Sequence, residues 1–219
     1  VREIDAMGGL MAIAADRAGI QFRMLNRSKG PAVWAPRAQA DRDLYTTAVT
    51  DLLRRTPSLD LIEGLVDQLW VESQDNGIAP LRIAGVILQD GRQLKAQTVV
   101  LTTGTFLRGL LHCGTDQAQG GRIGEPAAVT LSDQMRRIGF ELGRLKTGTP
   151  PRVHRDSIDY AKFSCQPGDD PPVPFSFLTR TLSQRQVCCW ITHTNERTHQ
   201  LIRENIHRAP MYSGQIQSR

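Results

Sequence analysis

The sequence predicts an α/β fold, and three observations support that expectation. Amphipathic helical stretches alternate with β-branched stretches along the first half of the chain. A meander pattern with a tight-turn signal follows. The run Val99-Val100-Leu101 then stops at Thr102-Thr103-Gly104, as a buried parallel strand does when its tip faces a ligand.

In chain order, "EIDAMGGLMAIAADRA" (3–18) has apolar residues at i, i+3 and i+4, which predicts a helix. "GIQFRML" (19–25) alternates like a short strand. "NRSKGPAVWAPRAQADR" (26–42) reads as a Gly/Pro-punctuated loop bearing Arg27, Lys29, Arg37 and Arg42. "ADRDLYTTAVTDLLRRTP" (40–57) predicts a second amphipathic helix, stopped by Pro57. Residues 59–73 read as one strand, a turn and another strand. The stretch 81–104 continues the β pattern, with a hairpin signal at Asp90-Gly91. "QAQGGRIGEP" (117–126) reads as a glycine loop, and 128–145 as a third helix with Leu131, Met135 and Ile138 on one side. The Pro- and Asp-rich segment 164–175 marks a composition shift, and a domain boundary is expected near residue 148.

The 219 residues suffice for one large domain, or for a domain plus part of another. The chain is 40% hydrophobic and 22% charged, the balance of a globular protein. No apolar run approaches the ~20 residues of a membrane helix. Val1-Arg2-Glu3-Ile4-Asp5 opens with charge and has no secretory h-region, and it reads as the inside of a domain. A fragment of a longer cytoplasmic protein is therefore expected. Lysines and arginines number 27 against 22 acidic residues, a net +5. That balance favours a polyanionic partner, although a scattered basic surface would give the same number. Cys113, Cys165, Cys188 and Cys189 include no CxxC pair, which fits a reduced chain better than a disulfide framework.

Phosphate-loop motifs fail within these residues. Gly8-Gly9 sits in a helical pattern with no preceding strand, and Gly120-Gly121-Arg122-Ile123-Gly124 follows a polar loop. Gly104 and Gly109 have P-loop separation, but Leu110-Leu111 follows instead of Lys-Ser/Thr. A meander leading to a strand that ends in Thr-Gly is typical of the second half of a flavin-binding Rossmann domain. Gly104 would there let the backbone approach a cofactor. An ordinary strand-to-loop turn would use it equally well. The basic loop 27–42 reads as phosphate-contacting or simply as solvated, and Asp41 as a helix-terminal charge. His193 and His199 near Cys188-Cys189 lack a metal-ligand spacing, so no metal is expected. A Cys189–His193 pair on one strand face is conceivable as a nucleophile and base, but a buried thiol is the plainer reading.

Four segments occur in one order: "SKGPAVWAPRAQADR" (28–42), "VVLTTGTFLRG" (99–109), "GRLKTGTPPR" (143–152) and "ITHTNERTH" (191–199). Together they resemble the MnmG (GidA) family of tRNA-modifying flavoenzymes. The resemblance implies a partial Rossmann-like FAD-binding domain with a β-meander over 1–148, and the start of an inserted, NADH-linked α+β domain over 149–219. It implies C5 modification of the wobble uridine of tRNA with FAD, NADH and methylenetetrahydrofolate. The implied partner is the GTPase MnmE, joined by a homodimer in a heterotetramer.

By position in the motifs, Val66, Thr102, Thr103, Gly104, Thr105, Gly120, Gly121 and Arg122 are expected beside FAD. Lys29, Gly30, Pro31, Arg37, Gln39 and Asp41 are expected on the cofactor and substrate side. Arg144, Lys146, Thr147 and Arg152 are expected at the junction to the inserted domain. Trp34 and Ala128 depart from the family's usual Arg and Ser. The family's GxGxxG loop and reactive cysteines fall outside these residues, which leaves the catalytic residue unassigned. The isolated chain is accordingly expected to be inactive and to hold FAD weakly. The alternatives are a flavin- and folate-dependent tRNA uridine methyltransferase and a non-catalytic RNA- or partner-binding module.

Overall fold

The computed structural model describes residues 1–73 and 81–216. In chain order the elements are α1 (Arg2–Ala6), α2 (Met11–Ala18), β1 (Gly19–Leu25), β2 (Ala35–Ala40), α3 (Arg42–Arg54), β3 (Val66–Ser73) and β4 (Leu81–Leu88). There follow β5 (Gln93–Lys95), β6 (Leu110–Cys113), β7 (Asp116–Gln119), α4 (Val129–Arg137), β8 (Ser164–Gln166), β9 (Cys189–Ile191) and α5 (Glu196–Asn205). The mixture of helix and strand agrees with the expected α/β class. Residues 1–61 with 152–193 form one compact unit, and 62–151 with 194–219 form a second. No helix among the described residues is long and apolar enough to cross a membrane.

The first unit is built around β1. The strand forms an antiparallel hairpin with β2, with Arg23 opposite Arg37 and Phe22 opposite Ala38. Phe22 is 2% exposed and packs with Ala12 of α2 and with Phe175, whose ring centroid lies 6.3 Å away. Residues 164–187 reach this core by polar contacts that satisfy buried backbone groups. Asp16, 3% exposed, accepts from the amides of Phe175 at 2.7 Å and Ser176 at 2.9 Å. Asp5 accepts from the Phe177 amide at 2.8 Å. The Val187 amide donates to the Ile20 carbonyl at 2.7 Å, and the Asp169 amide to that of Phe22 at 2.8 Å. Small residues make room for this arrangement, since Ala12, Ala14 and Ala18 on α2 are almost wholly buried.

The second unit holds the expected meander, β3-β4-β5, antiparallel throughout. Its β4–β5 turn is the one expected at Asp90-Gly91, and the Gly91 amide donates to the Leu88 carbonyl at 3.0 Å. The Arg92 amide, assisted by the Arg92 guanidinium, holds the Asp90 carboxyl below the usual carboxylate range. Helix α4 is clasped to β3 through one side chain. Gln134 accepts from the Leu69 amide at 2.6 Å and donates to the Leu69 carbonyl at 2.7 Å, so it stands in for a neighbouring strand.

Several expected elements differ. The single helix over 3–18 is two, because Gly8-Gly9 interrupts it. The loop 26–42 contains a strand, β2, which pairs because β1 offers it a ladder. Residues 59–65 form no strand, so 59–73 supplies only β3. The loop 117–126 begins with β7, paired to β6, and the third helix stops at Arg137 instead of 145. The buried strand at Val99–Leu101 is also absent. Val100 is 85% exposed, and the segment has no ladder partner among the described residues. An apolar β-branched run is a strand only where another strand completes its hydrogen bonds.

Asp16→Ala should cost roughly 2–5 kcal/mol of stability, because it strands two buried amides. Urea unfolding of the 219-residue chain measures this, and Asp16→Asn, which keeps one acceptor, should fall between.

Candidate functional site

Two local arrangements contain most of the residues expected to be functional, one in each unit. In the first unit, the β1–β2 hairpin is closed by two single 3-10 turns, Arg27–Lys29 and Pro31–Val33, with Asn26 in the left-handed region. Gln21, fully buried, organises the hairpin from behind. Its side-chain nitrogen donates to the carbonyls of Gln166 at 2.9 Å and Val187 at 3.4 Å. Its oxygen accepts from Arg37 at 3.1 Å and from the Cys189 thiol at 3.1 Å.

These contacts change the reading of the basic loop. Arg37 is aimed at Gln21, although its Nε is buried with no partner among the described residues. Arg27 pairs with Asp169 at 3.0 Å, and Arg23 donates to the Pro167 carbonyl at 2.9 Å. Arg42 lies 3.6 Å from Asp43, both well exposed. Lys29 is exposed and makes no ion pair or hydrogen bond through its side chain among the described residues. The side chain of Asp41 caps α3, accepting from the amides of Asp43 at 2.9 Å and Leu44 at 3.0 Å. Gly30 and Pro31 shape the turn, and Gln39 lies exposed on β2 opposite Gln21. Trp34 donates its indole N–H to the Arg27 carbonyl at 3.3 Å, a structural role at the position of the expected arginine.

In the second unit, the structure brings the 102–105 segment and the 120–122 glycine turn together. The Thr105 hydroxyl donates to the Gly121 carbonyl at 2.8 Å, and the Gly120 amide donates to that of Gly109 at 3.1 Å. A Cβ on Gly121 would fall 2.3 Å from the Phe106 ring, so the two segments touch only because that residue is glycine. Gly104 is different. Its φ of +57° favours glycine, yet a Cβ there would meet no neighbouring protein atom within 4 Å. Beyond it the surface is open. The amides of Thr102, Thr103, Gly104 and Thr105 donate to no group among the described residues. Arg122 pairs with Glu125 at 3.1 Å. An open cleft of about 460 Å³ lies beside this turn, lined in part by Leu111, Gln117, Ile123 and Pro126.

Val66 opens β3, opposite Leu88. Arg144 reaches the Arg108 carbonyl at 3.5 Å, and Arg108 is also paired to Asp133 of α4. Lys146 lies 3.7 Å from the Met211 sulfur, and Thr147 and Arg152 lie in irregular chain. Ala128 is buried and joins Leu107 in an isolated bridge. The conceivable Cys189–His193 pair does not form. Strand β9 ends at Ile191, and the Cys189 thiol is committed to Gln21. No metal-binding group of three or more His, Cys, Asp or Glu occurs among the described residues. Sequence reasoning passed over Asp16, Gln21 and Gln134. The available signal was a polar residue at a position whose periodicity calls for an apolar one.

Comparison with known proteins decides the family. The model of the family described as "Glucose inhibited division protein A", GIDA, matches residues 1–219. The chain belongs to the GidA family. A protein of Thermodesulfovibrio yellowstonii, named tRNA uridine 5-carboxymethylaminomethyl modification enzyme MnmG, is 50% identical over 216 residues, 99% of this chain and 34% of its own length. A Rhodopirellula baltica protein of the same name is 50% identical over 223 residues, covering 100% of this chain and 34% of itself. Aquifex aeolicus GidA superposes in two crystal forms. Form I has a TM-score of 0.87 at 42% identity, covering 99% of this chain and 36% of the other. Form II has 0.84 at 43%, covering 95% and 34%. The chain spans about a third of the length of the curated relatives it matches. Within this GidA segment, the glycine turn and the β1–β2 hairpin are the two candidate sites for function.

Gly121→Ala should destabilise the chain by about 2–3 kcal/mol, because its methyl group meets Phe106. Gly104→Ala should cost about 1 kcal/mol, from backbone conformation alone. Denaturant unfolding of both variants tests the order.

Proposed function

We propose that this chain is the central, cofactor-side segment of a FAD-dependent enzyme that modifies C5 of the wobble uridine of tRNA, adding an aminomethyl or carboxymethylaminomethyl group. The supporting observation is the family match along all 219 residues, with relatives at 50% identity bearing the MnmG name. Those relatives do not favour the methyltransferase alternative.

The residues fit the cofactor chemically. Thr102–Thr105 offer unengaged amides at a glycine with open space before it, and the Gly120–Arg122 turn is braced beside them by Thr105. Amides so placed can donate to flavin carbonyl or pyrophosphate oxygens. Val66 belongs to the same proposed site through its motif position. FAD, when bound, would supply the electron transfer, with NADH and methylenetetrahydrofolate as co-substrates. Lys29 and Arg42 are the cations we assign to tRNA phosphates, and Arg144, Lys146 and Arg152 are assigned to the substrate through their motif positions alone. The proposal includes MnmE as partner, a homodimer within a heterotetramer, and a cytoplasmic setting. It also includes an FAD-binding domain over 1–148 and an inserted domain from 149, with 152–193 packed on 1–61 in one unit.

Titration of FAD with the purified chain should give saturable quenching that is lost on gel filtration. Gly104→Val should weaken it about tenfold or more. No quenching by the parent chain, or equal affinity in the variant, contradicts the assignment. Flavin retained stoichiometrically through gel filtration contradicts the weak binding expected of this segment alone. Lys29→Ala should weaken tRNA binding and lower its salt slope by about one. Salt-dependent tRNA binding by a chain that never binds flavin would favour the non-catalytic alternative.

A further inference from the structure

Two cysteines share one face of the small β8–β9 ladder and its continuation. Ser164 lies opposite Ile191, Cys165 opposite Trp190 and Gln166 opposite Cys189. Side chains alternate along a strand, so Cys188 continues the face shared by Cys165 and Trp190, while Cys189 takes the other. The contacts agree. The Cys189 thiol points back to Gln21, and Cys165 and Cys188 are both exposed. Interaction with the neighbouring Cys188 thiol pushes the Cys165 thiol above its ordinary value. All four cysteines are free, and metal binding by three ligands has no support among the described residues.

We propose that Cys165 and Cys188 form a reversible dithiol–disulfide site, oxidised by a peroxide or by a small disulfide such as oxidised glutathione. With hydrogen peroxide, the Cys188 thiolate attacks one peroxide oxygen. The O–O bond breaks, and the departing hydroxide takes up the thiol's proton to become water. Cys165 then attacks the sulfenic sulfur, and its proton leaves with the sulfenic hydroxyl as a second water. Two S–H bonds are lost and one S–S bond forms. Its two electrons reduce the peroxide.

Geometry makes this bond a labile one. Diagonal neighbours across an antiparallel ladder lie about 7–8 Å apart at Cα. An unstrained disulfide wants roughly 4.4–6.8 Å. Cys188 precedes β9, so it lies outside the ladder and can close the difference. The closure pulls on a strand that matters to the hairpin, because the neighbouring Val187 donates to Ile20 and accepts from Gln21. Gln21 in turn orients Arg37. Oxidation at this surface therefore reaches the back of the β1–β2 hairpin. Trp190, packed at a tilt against Tyr160 with ring centroids 5.1 Å apart, shares the face of the dithiol and should report its state by fluorescence.

The 219-residue chain, reduced and then treated with oxidised glutathione, should lose about 2 Da and recover it with dithiothreitol. Peptide mapping of the oxidised chain should show a Cys165–Cys188 link. Cys113→Ser and Cys189→Ser should still form it. Cys165→Ser and Cys188→Ser should instead gain a mixed glutathione disulfide. A link from Cys165 to Cys189, a bond between chains, or four thiols still titratable in the folded parent chain would overturn the proposal.

Discussion

Asp16 is the constraint on which the first unit rests. Its carboxylate is almost fully buried, yet both oxygens are occupied by backbone amides from a segment 159 and 160 residues further along. A carboxylate can leave water at tolerable cost only when such donors replace it. The segment 164–187 contains little regular structure that could bring it to this place. Asp16 and Asp5 bind its amides, Gln21 binds its carbonyls, and Phe22 packs on Phe175. Removing either half leaves buried polar groups in the other.

That dependence extends to the hairpin that bears the basic loop. Counted in the sequence, the loop residues Arg27, Lys29, Arg37 and Arg42, with Arg23 just before them, form one basic cluster that reads as phosphate-contacting or as solvated. In the structure three of the five are spent on protein acceptors: Gln21, Asp169 and the Pro167 carbonyl. They hold the hairpin in shape. The charge left for a polyanion is smaller and lies at Lys29 and Arg42. The second unit divides its labour in the same way. Gly121 is required for packing, Thr105 braces the turn, and Gly104 keeps an open face.

Local features of the chain were legible from sequence. Strand β1, helix α3 with its Asp41 cap and the Asp90-Gly91 hairpin follow from alternation, helical period and turn chemistry, all of which act within a few residues. The misses share one cause. Strand β2 exists because β1 is beside it, and Val99–Leu101 is not a strand because nothing among the described residues pairs with it. Pairing is a property of distant chain and leaves no local periodicity. Asp16, Gln21 and Gln134 went unnoticed for the same reason, since each has partners between 65 and 168 residues away. The motif residues were identified through family resemblance. What the structure adds is which of them touch, as Thr105 and Gly121 do, and which serve the fold, as Asp41 does.

The fold of the first unit depends on Asp16 holding the distant segment to α2. Amide hydrogen exchange in the 219-residue chain measures this directly. The Phe175 and Ser176 amides should be protected to a degree comparable with the β1 core around Phe22, and should lose that protection in Asp16→Ala. Exchange of these two amides at the rate of exposed loop chain, with β1 still protected, would contradict it.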